Sequence, residues 1–451
     1  MASEEVMKMF NVNKLKKEQE EILKCIMDGK DCLAVLPTGY GKSLPYQLVI
    51  PQQRAMGKEA RKIIVCCPLI ALMKDQVERL SKIPNIRAIY RDGTQEADRI
   101  IREGAFDYLF GSPELLVGDS SFRDQLHQFG VSTIVVDEFH TIACWGEKDD
   151  EDRAAFRKWF SYLGELRSIF PSASVLALSA TCTLKISRRV RKVLNLKEDT
   201  TEIRLSPDKP NIKLAVKKIA NSVELGMAWM IDKLDSFPRT IIYCTSIRDV
   251  SKLYNYITSE VPNCSSYCDM FHSETPDSKK KKILDDLCDE NGFLRIVIAT
   301  SALGMGIDIV KTNNVILYGA PKQLVEVIQE IGRVGRDGTP ALALLLYNSY
   351  HLRKAEQEVK DVFISESCRR KVLLKPFVKE SELGLLQEPH HTCCDRCALS
   401  CKCNNCQKDV FLLEKMLQDE PSASDSDTNS DSTELYDDDA ELLMESDIEF
   451  E

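Results

Sequence analysis

The sequence lacks an apolar run long enough to cross a membrane. Its longest such run, residues 63–73, has eleven residues and contains Pro68, whereas a membrane-spanning helix needs about 20. The N-terminal segment MASEEVMKMF carries charges where a secretion signal would have an apolar core. We therefore exclude membrane-embedded and secreted proteins, and we expect a soluble intracellular protein.

Basic residues are absent from the end of the chain. Residues 419–451 contain fourteen Asp or Glu and no Lys or Arg, and this composition cannot bury enough apolar surface to fold alone. We expect residues 408–451 to form a disordered acidic tail. The tail either recruits a basic protein partner, mimics nucleic acid, or only solvates the chain.

The body of the protein carries the opposite charge. The formal net charge of the whole chain is −10, and without the tail carboxylates residues 1–418 have a net charge of +4. A mildly basic body permits nucleic-acid binding without requiring it.

Cysteines are plentiful, but their placement does not favour disulfides. Ten of the 17 lie in or beside apolar segments before residue 300, where a buried free thiol is the usual state in an intracellular protein. The other seven are crowded between residues 368 and 406, which indicates a separate kind of site.

Eight short apolar runs rich in β-branched residues alternate with helical patterns, four on each side of the segment LSPDKPN at residues 205–211. Each series predicts an α/β lobe with a doubly wound parallel sheet. We place the first lobe at residues 1–208 and the second at 209–350. A helical, cysteine-rich module follows at residues 351–407.

The segment LAVLPTGYGKS, residues 33–43, leads from a predicted strand into a glycine-rich turn. Its small residues allow backbone amides and a helix N-terminus to approach phosphate oxygens. Lys42 would reach the β- and γ-phosphates of a nucleotide, and Ser43 would help to hold Mg²⁺. Because Leu36 stands where the usual pattern has glycine, an ordinary strand-to-helix turn is the alternative. The candidate nucleotide-binding residues of the turn are Thr38, Gly39, Gly41, Lys42 and Ser43.

Asp137 and Glu138 follow the apolar run STIVV, at the predicted tip of a strand. Ligands of open α/β sheets bind at this edge. An aspartate there can bind Mg²⁺, and a neighbouring glutamate can accept the proton of an attacking water. A solvated strand end is the alternative interpretation.

Together these motifs resemble those of superfamily 2 helicases, and more narrowly those of the RecQ family of DNA helicases. The resemblance extends over about residues 8–400 and includes FNVNKLKKEQEEIL, CPLIALMKDQV, GSPELL, LSATCT, IVIATSALGMGIDI and IQEIGRVGRDG, in the family's order. It implies two RecA-like lobes that bind ATP between them and move 3′ to 5′ on single-stranded, branched or tailed duplex DNA.

The resemblance also assigns roles to single residues. Gln19 matches the glutamine that reads adenine, and Lys16 stands where the family usually has arginine. Gly306 and Asp308 belong to the second lobe's part of the nucleotide site, whereas Ser179 and Thr181 couple the lobes.

Three residues of IQEIGRVGRDG recur at about one helical turn, so they project from one face. They are Gln329, Arg333 and Arg336. Arginine suits the charge that develops on a transferring phosphoryl group. The resemblance makes Arg336 the arginine finger and Arg333 a phosphate contact.

A loop that senses single-stranded DNA follows the acidic pair in the family. Here His140, Trp145, Phe156 and Arg157 match it, and the two aromatic side chains would stack on bases. An acidic insertion, EKDDEDRAA at residues 147–155, separates them. The insertion either loops into solvent or weakens the coupling between DNA and ATP hydrolysis.

The crowded cysteines resemble the zinc-binding module of the family. The resemblance makes Cys368, Cys394 and Cys397 ligands of Zn²⁺, and the remaining position is His391 by spacing, with Cys393 as the alternative. Both residue types suit tetrahedral zinc. The surplus Cys401, Cys403 and Cys406 leave a second or shifted site open, and free or redox-active thiols are the alternative to metal.

The family usually continues into a winged-helix domain that separates duplex DNA, and we expect this chain to end after the zinc-binding module and its tail. The leading hypothesis is a nuclear ATP-dependent DNA helicase of recombination and repair. The alternatives are a nucleic-acid-dependent ATPase or scaffold that does not unwind DNA, and an RNA helicase.

Overall fold

The computed structural model describes residues 2–68, 70–141, 159, 162–303, 309, 311–384, 390–406 and 410–418. Within these residues the fold is α/β, with two separate parallel sheets, which confirms the predicted fold class. No described helix is both long and apolar enough to cross a membrane.

The first sheet has seven strands in the order β3-β4-β2-β5-β6-β1-β7, and all its pairings are parallel. The strands are β1 (Cys32–Val35), β2 (Lys62–Cys66), β3 (Ala88–Tyr90), β4 (Tyr108–Gly111), β5 (Val131–Val136), β6 (Ser174–Ser179) and β7 (Thr201–Arg204). The helices of this part are α1 (Glu4–Met9), α2 (Lys17–Met27), α3 (Leu44–Gln47), α4 (Val49–Ala55), α5 (Ile70–Ser81), α6 (Gln95–Arg102), α7 (Ser120–Leu126), α8 (Glu165–Ile169) and α9 (Leu184–Val193), with a π-helical turn at Glu114–Gly118.

The second sheet has six strands in the order β10-β11-β9-β12-β13-β8, again all parallel. The strands are β8 (Ile212–Lys218), β9 (Thr240–Cys244), β10 (Cys268–Phe271), β11 (Ile296–Ala299), β12 (Asn314–Tyr318) and β13 (Ala341–Tyr347). The helices are α10 (Val223–Ile231), α11 (Ile247–Glu260), α12 (Asp277–Cys288), α13 (Leu324–Ile331), α14 (Gln357–Ile364), α15 (Arg369–Leu374), α16 (Glu380–Leu383), α17 (Asp395–Ser400) and α18 (Leu412–Gln418), with 3₁₀ turns at Leu234–Ser236 and Pro262–Ser266.

Each sheet is covered on both faces, as parallel sheets usually are. In β1, Leu33 and Val35 belong to one buried core, and Cys32 and Ala34 belong to the core on the opposite face. This alternation follows from the two-residue period of a strand. It explains why the strands appear in the sequence as continuous apolar runs.

Several helices begin where the sequence offers a hydroxyl or carboxylate that accepts from the first free backbone amides. Thr94, Asp119 and Thr183 accept in this way from the amides of Ala97, Phe122 and Ile186. Helix starts are therefore encoded locally.

The helical, cysteine-rich part packs directly on the second sheet. Its Phe363, Leu374 and Phe377 share one core with Ile212 and Leu214 of β8. The predicted boundaries at residues 208 and 350 stay predictions.

The expectation that disorder begins at residue 408 is wrong for α18. Leu413 of this helix is fully buried in a core of the second sheet, and the Glu414 carboxylate lies 2.8 Å from the Lys213 ammonium. The expectation rested on the composition of residues 419–451, which lie outside the described residues.

Candidate nucleotide and metal sites

The glycine-rich turn between β1 and α3 is shaped by two left-handed glycines. Gly39 has φ +81° and Gly41 has φ +83°, a conformation that side chains with a Cβ rarely adopt. A Cβ on Gly41 would also lie 2.7 Å from the Gln19 amide nitrogen. The turn therefore requires glycine for both its backbone conformation and its packing.

Gln19, predicted to contact adenine, supports this turn. Its Nε2 donates to the carbonyls of Tyr40 (3.0 Å) and Gly41 (3.2 Å), and its Oε1 accepts from the Lys16 amide at 2.9 Å. The Lys16 ammonium lies 4.0 Å from the centre of the Tyr40 ring, a favourable cation–π arrangement. Adenine recognition by Gln19 stays a prediction, because its amide is engaged by the turn in this structure.

The structure brings the acidic pair next to the turn. Asp137 is buried at 5% exposure, and the Glu138 Oε1 lies 3.7 Å from the Lys42 Nζ. Glu138 has φ +49°, which is strained for a residue with a Cβ. Such strain often occurs at functional sites.

The pKa values of the two carboxyl groups are shifted in opposite directions. Burial, together with the charge of Glu138, raises the pKa of Asp137 to about 7. Burial acts in the same direction on Glu138, but the positive charges of Lys42 and Arg333 and the contact with His140 outweigh it and lower the pKa of Glu138 to about 2. Glu138 is therefore ionised at neutral pH, whereas Asp137 is protonated more easily than an ordinary aspartate.

A series of polar contacts leads from the acidic pair to the second lobe. His140 Nδ1 lies 3.2 Å from Glu138 Oε2 and 2.9 Å from Ser179 Oγ. On the other side, Gln329 Nε2 donates to His140 Nε2 at 2.9 Å and to Thr181 Oγ1 at 3.2 Å. An amide nitrogen only donates, so with the Gln329 amide in this orientation His140 Nε2 accepts and the ring proton lies on Nδ1.

Arg333 and Arg336 follow α13 of the second lobe. The sequence interpretation missed Lys209, which lies beside them: burial, followed by the charges of Arg336 and Arg333, lowers its pKa to about 8. Its Nζ donates to the Gly332 carbonyl at 2.7 Å. The one signal in the sequence was a lysine within the proline-rich join LSPDKPN. The three cations together suit an anionic ligand.

Five predicted site residues lie outside the described residues. They are Trp145, Phe156, Arg157, Gly306 and Asp308. The acidic insertion at residues 147–155 also lies outside them.

A first cysteine group consists of Cys368, Cys393, Cys394 and Cys397, whose sulfur atoms all lie within 4.8 Å of one another. The sulfurs of Cys368 and Cys393 are 3.7 Å apart. Tetrahedral zinc with Zn–S bonds of about 2.3 Å holds its sulfurs about 3.8 Å apart, so this donor set fits zinc.

Cys393, the alternative fourth ligand, lies in this group and the predicted His391 does not, whereas the binding of zinc by the group stays a prediction. The Cys393 carbonyl accepts from the Leu214 amide at 3.2 Å, and Cys394 forms a bridge with the same residue of β8. This contact with the sheet edge fixes both cysteines at the group. His391 lies instead beside Cys401 and Cys403. Spacing along the chain could not show a contact with a distant strand.

Two family models match the chain. DEAD/DEAH box helicase matches residues 16–189, and Helicase conserved C-terminal domain matches residues 223–338.

Two similar curated proteins match most of this chain. The bifunctional 3′-5′ exonuclease/ATP-dependent helicase WRN of Mus musculus is 30% identical over 86% of this chain and 28% of its own length. The ATP-dependent DNA helicase RecQ of Pasteurella multocida is 30% identical over 82% of this chain and 58% of its own length. This chain therefore covers less than two thirds of the length of either relative.

The fold resembles that of a solved structure, the Mycobacterium smegmatis helicase Lhr bound to ssDNA and AMP-PNP. The TM-score is 0.59 at 23% identity, and the match covers 76% of this chain and 47% of that one. At this identity the likeness shows the fold alone.

Proposed function

Because this chain belongs to the RecQ-like helicases, with a DEAD/DEAH box domain followed by a helicase C-terminal domain, we propose that it is an ATP-dependent DNA helicase that moves 3′ to 5′ on single-stranded DNA. The hydrogen bonds from Gln329 to His140 and Thr181 carry this proposal. They join the second lobe to His140, which lies 3.2 Å from Glu138, so hydrolysis at the acidic pair would drive relative movement of the lobes.

The residues of the turn and the acidic pair fit MgATP. Backbone amides at residues 39–43 and the Lys42 ammonium would bind the phosphates, whereas Ser43 and Asp137 would hold Mg²⁺. The pKa of Asp137 is raised because its buried carboxylate has too little compensating positive charge. A bound Mg²⁺ would supply that charge and neutralise the phosphate oxygens.

Glu138 would accept the proton of the attacking water. In this structure its pKa is low because cations, Lys42 first among them, outweigh the effect of burial. Once Lys42 turns to the phosphates of ATP, Glu138 loses part of that compensation and its pKa rises. Substrate binding itself would then make Glu138 a stronger base.

The second lobe would complete the site. Arg336 and Arg333 would stabilise negative charge on the transferring phosphoryl group, and Lys209 adds a third cation to this wall. Gln329 lies on α13, and it would transmit the state of the first lobe to the two arginines that follow this helix. Release of phosphate would remove the anion that holds the cations against the first lobe, and the lobes would separate.

ATP turnover and strand separation test the proposal. The full chain and its Lys42→Ala variant should be compared on single-stranded DNA and on duplexes with a 3′ or a 5′ tail. We expect Lys42→Ala to lose about 10²–10³-fold in turnover, the usual loss for one phosphate or oxyanion contact. The exposed Lys58→Ala should behave as the unmodified chain.

Three results would contradict the proposal. Equal turnover by the Lys42→Ala variant would mean that the measured activity is not that of this site. Unwinding only from a 5′ tail would reverse the polarity, and ATP turnover without strand separation would support the non-unwinding ATPase. A matched RNA duplex distinguishes an RNA helicase.

A further inference from the structure

We propose that this protein binds a second structural zinc ion, held by His391, Cys401, Cys403 and Cys406. We call these residues the second group. It is separate from the first cysteine group and contributes nothing to the nucleotide site, so the proposal does not depend on the proposed function.

His391, Cys401 and Cys403 place their donor atoms within 4.8 Å of one another, and the Cys406 sulfur contacts that of Cys403. His391 Nδ1 lies 3.1 Å from the Cys403 sulfur and 3.6 Å from the Cys401 sulfur, and the sulfurs of Cys403 and Cys406 are 3.5 Å apart. Tetrahedral zinc would place a nitrogen about 3.6 Å from each sulfur and the sulfurs about 3.8 Å from one another. His391, Cys401 and Cys403 therefore lie close to the positions that zinc requires, and the Cys406 sulfur lies at a suitable distance from that of Cys403.

The histidine of this group is buried. His391 is 2% exposed. Histidine is only moderately often buried, and burial of its ring requires polar partners for the two nitrogens. Its Nδ1 is directed at two sulfurs. A three-cysteine, one-histidine set is a standard structural zinc site, and it closes the coordination sphere without an open position.

The backbone between the last two cysteines has the shape of a ligand turn. Cys403 and Cys406 are separated by two residues, the usual spacing of zinc-binding cysteine pairs. Asn404 between them has φ +61°, a left-handed conformation that asparagine tolerates better than most residues. The strained residue lets the chain turn sharply enough to present both sulfurs on one side.

A disulfide does not account for this arrangement. A disulfide bond is about 2.05 Å long, and the Cys403 and Cys406 sulfurs are 3.5 Å apart. Three thiols and a histidine packed so closely without metal would also leave reactive thiolates at the surface. Zinc resolves both points, because it binds thiolates and makes them unreactive.

His390 competes with Cys406 for the fourth position, since it lies within 4.8 Å of the other donors. However, His390 is exposed, and its Nδ1 lies 3.0 Å from the Thr392 hydroxyl. The Cys406 sulfur lies 3.5 Å from the Cys403 sulfur and donates to the Cys401 carbonyl at 3.9 Å, so both contacts are to residues of the group. We therefore assign Cys406 as the ligand and His390 as its neighbour.

Zinc counted by mass spectrometry in the purified full chain tests the assignment. We expect two zinc ions per chain in the unmodified protein and one in the Cys403→Ser/Cys406→Ser variant, because the first cysteine group keeps its ion. His390→Ala, and Cys288→Ser at an exposed cysteine outside both groups, are matched controls that should keep both ions.

Alkylation of the unmodified chain supplies a second measurement if the double variant does not fold. The three cysteines of the second group should resist iodoacetamide before chelation and react after it. One zinc ion per chain in the unmodified protein, equal labelling before and after chelation, or loss of an ion in His390→Ala would each overturn the proposal.

Discussion

Replacing Gln329 by alanine tests whether the contact between the lobes controls hydrolysis. The substitution removes two hydrogen bonds, to His140 Nε2 and to Thr181 Oγ1. Each hydrogen bond contributes about 0.5–1.5 kcal/mol net, so the pair contributes about 1–3 kcal/mol. That free energy corresponds to about a 5- to 150-fold change in the population of the joined arrangement.

The partners of Gln329 add to the cost. His140 and Thr181 are 7% and 2% exposed, so water cannot readily replace the lost amide, and an unsatisfied buried group is itself destabilising. We therefore expect the upper half of this range. Because only the joined arrangement would hydrolyse ATP, the loss should fall on kcat for DNA-stimulated turnover, with a smaller change in KM.

Steady-state ATPase at saturating single-stranded DNA provides the measurement. Gln357→Ala is the matched control, because Gln357 is an exposed glutamine whose amide donates at 2.7 Å only to Asp361 of its own helix, α14. The control should retain full activity. If Gln329→Ala turns over ATP as fast as the unmodified chain, the contact is incidental and the reasoning fails.

Two further predictions concern buried carboxylates. The pKa of Asp137 is raised to about 7, so its carboxylate is protonated below that pH. At limiting Mg²⁺ we therefore expect ATP turnover to fall about tenfold per pH unit below pH 7. Excess Mg²⁺ should move the midpoint of this pH profile to lower pH, whereas a fixed midpoint would argue against Asp137 as a ligand. Asp31 is fully buried and is bonded to Arg167 and to the Val175 amide. Asp31→Ala should therefore lower the free energy of unfolding, measured in urea, by about 3–5 kcal/mol. The control Glu78→Ala, at an exposed carboxylate, should lower it by less than about 1 kcal/mol, and equal effects of the two substitutions would refute the prediction.

The sequence predicted those parts of the protein that are encoded locally. Apolar runs and turn residues predicted the α/β class, and the rule that ligands bind at the strand tips of a sheet predicted that Lys42 and Glu138 lie together. The structure brings them to 3.7 Å. The two matching helicase models, together with the similarity to RecQ of Pasteurella multocida, confirm the family resemblance.

Features that depend on contacts between distant segments were not predictable. Lys209 has a lowered pKa because it is buried beside two arginines that follow it by more than a hundred residues. Cys393, not His391, joins the first cysteine group because β8 binds the backbone there. The buried face of α18 was hidden by the acidic composition that follows it. No local pattern contains these contacts.

Arg370 ties three segments together: it bonds to the Asp208 carboxylate at 2.5 Å and to the carbonyls of Ile212 and Cys393. These hydrogen bonds attach the cysteine module to the second lobe, so a rotation of that lobe would carry the module with it. Loss of the first cysteine group would consequently loosen the attachment of the module to the second lobe.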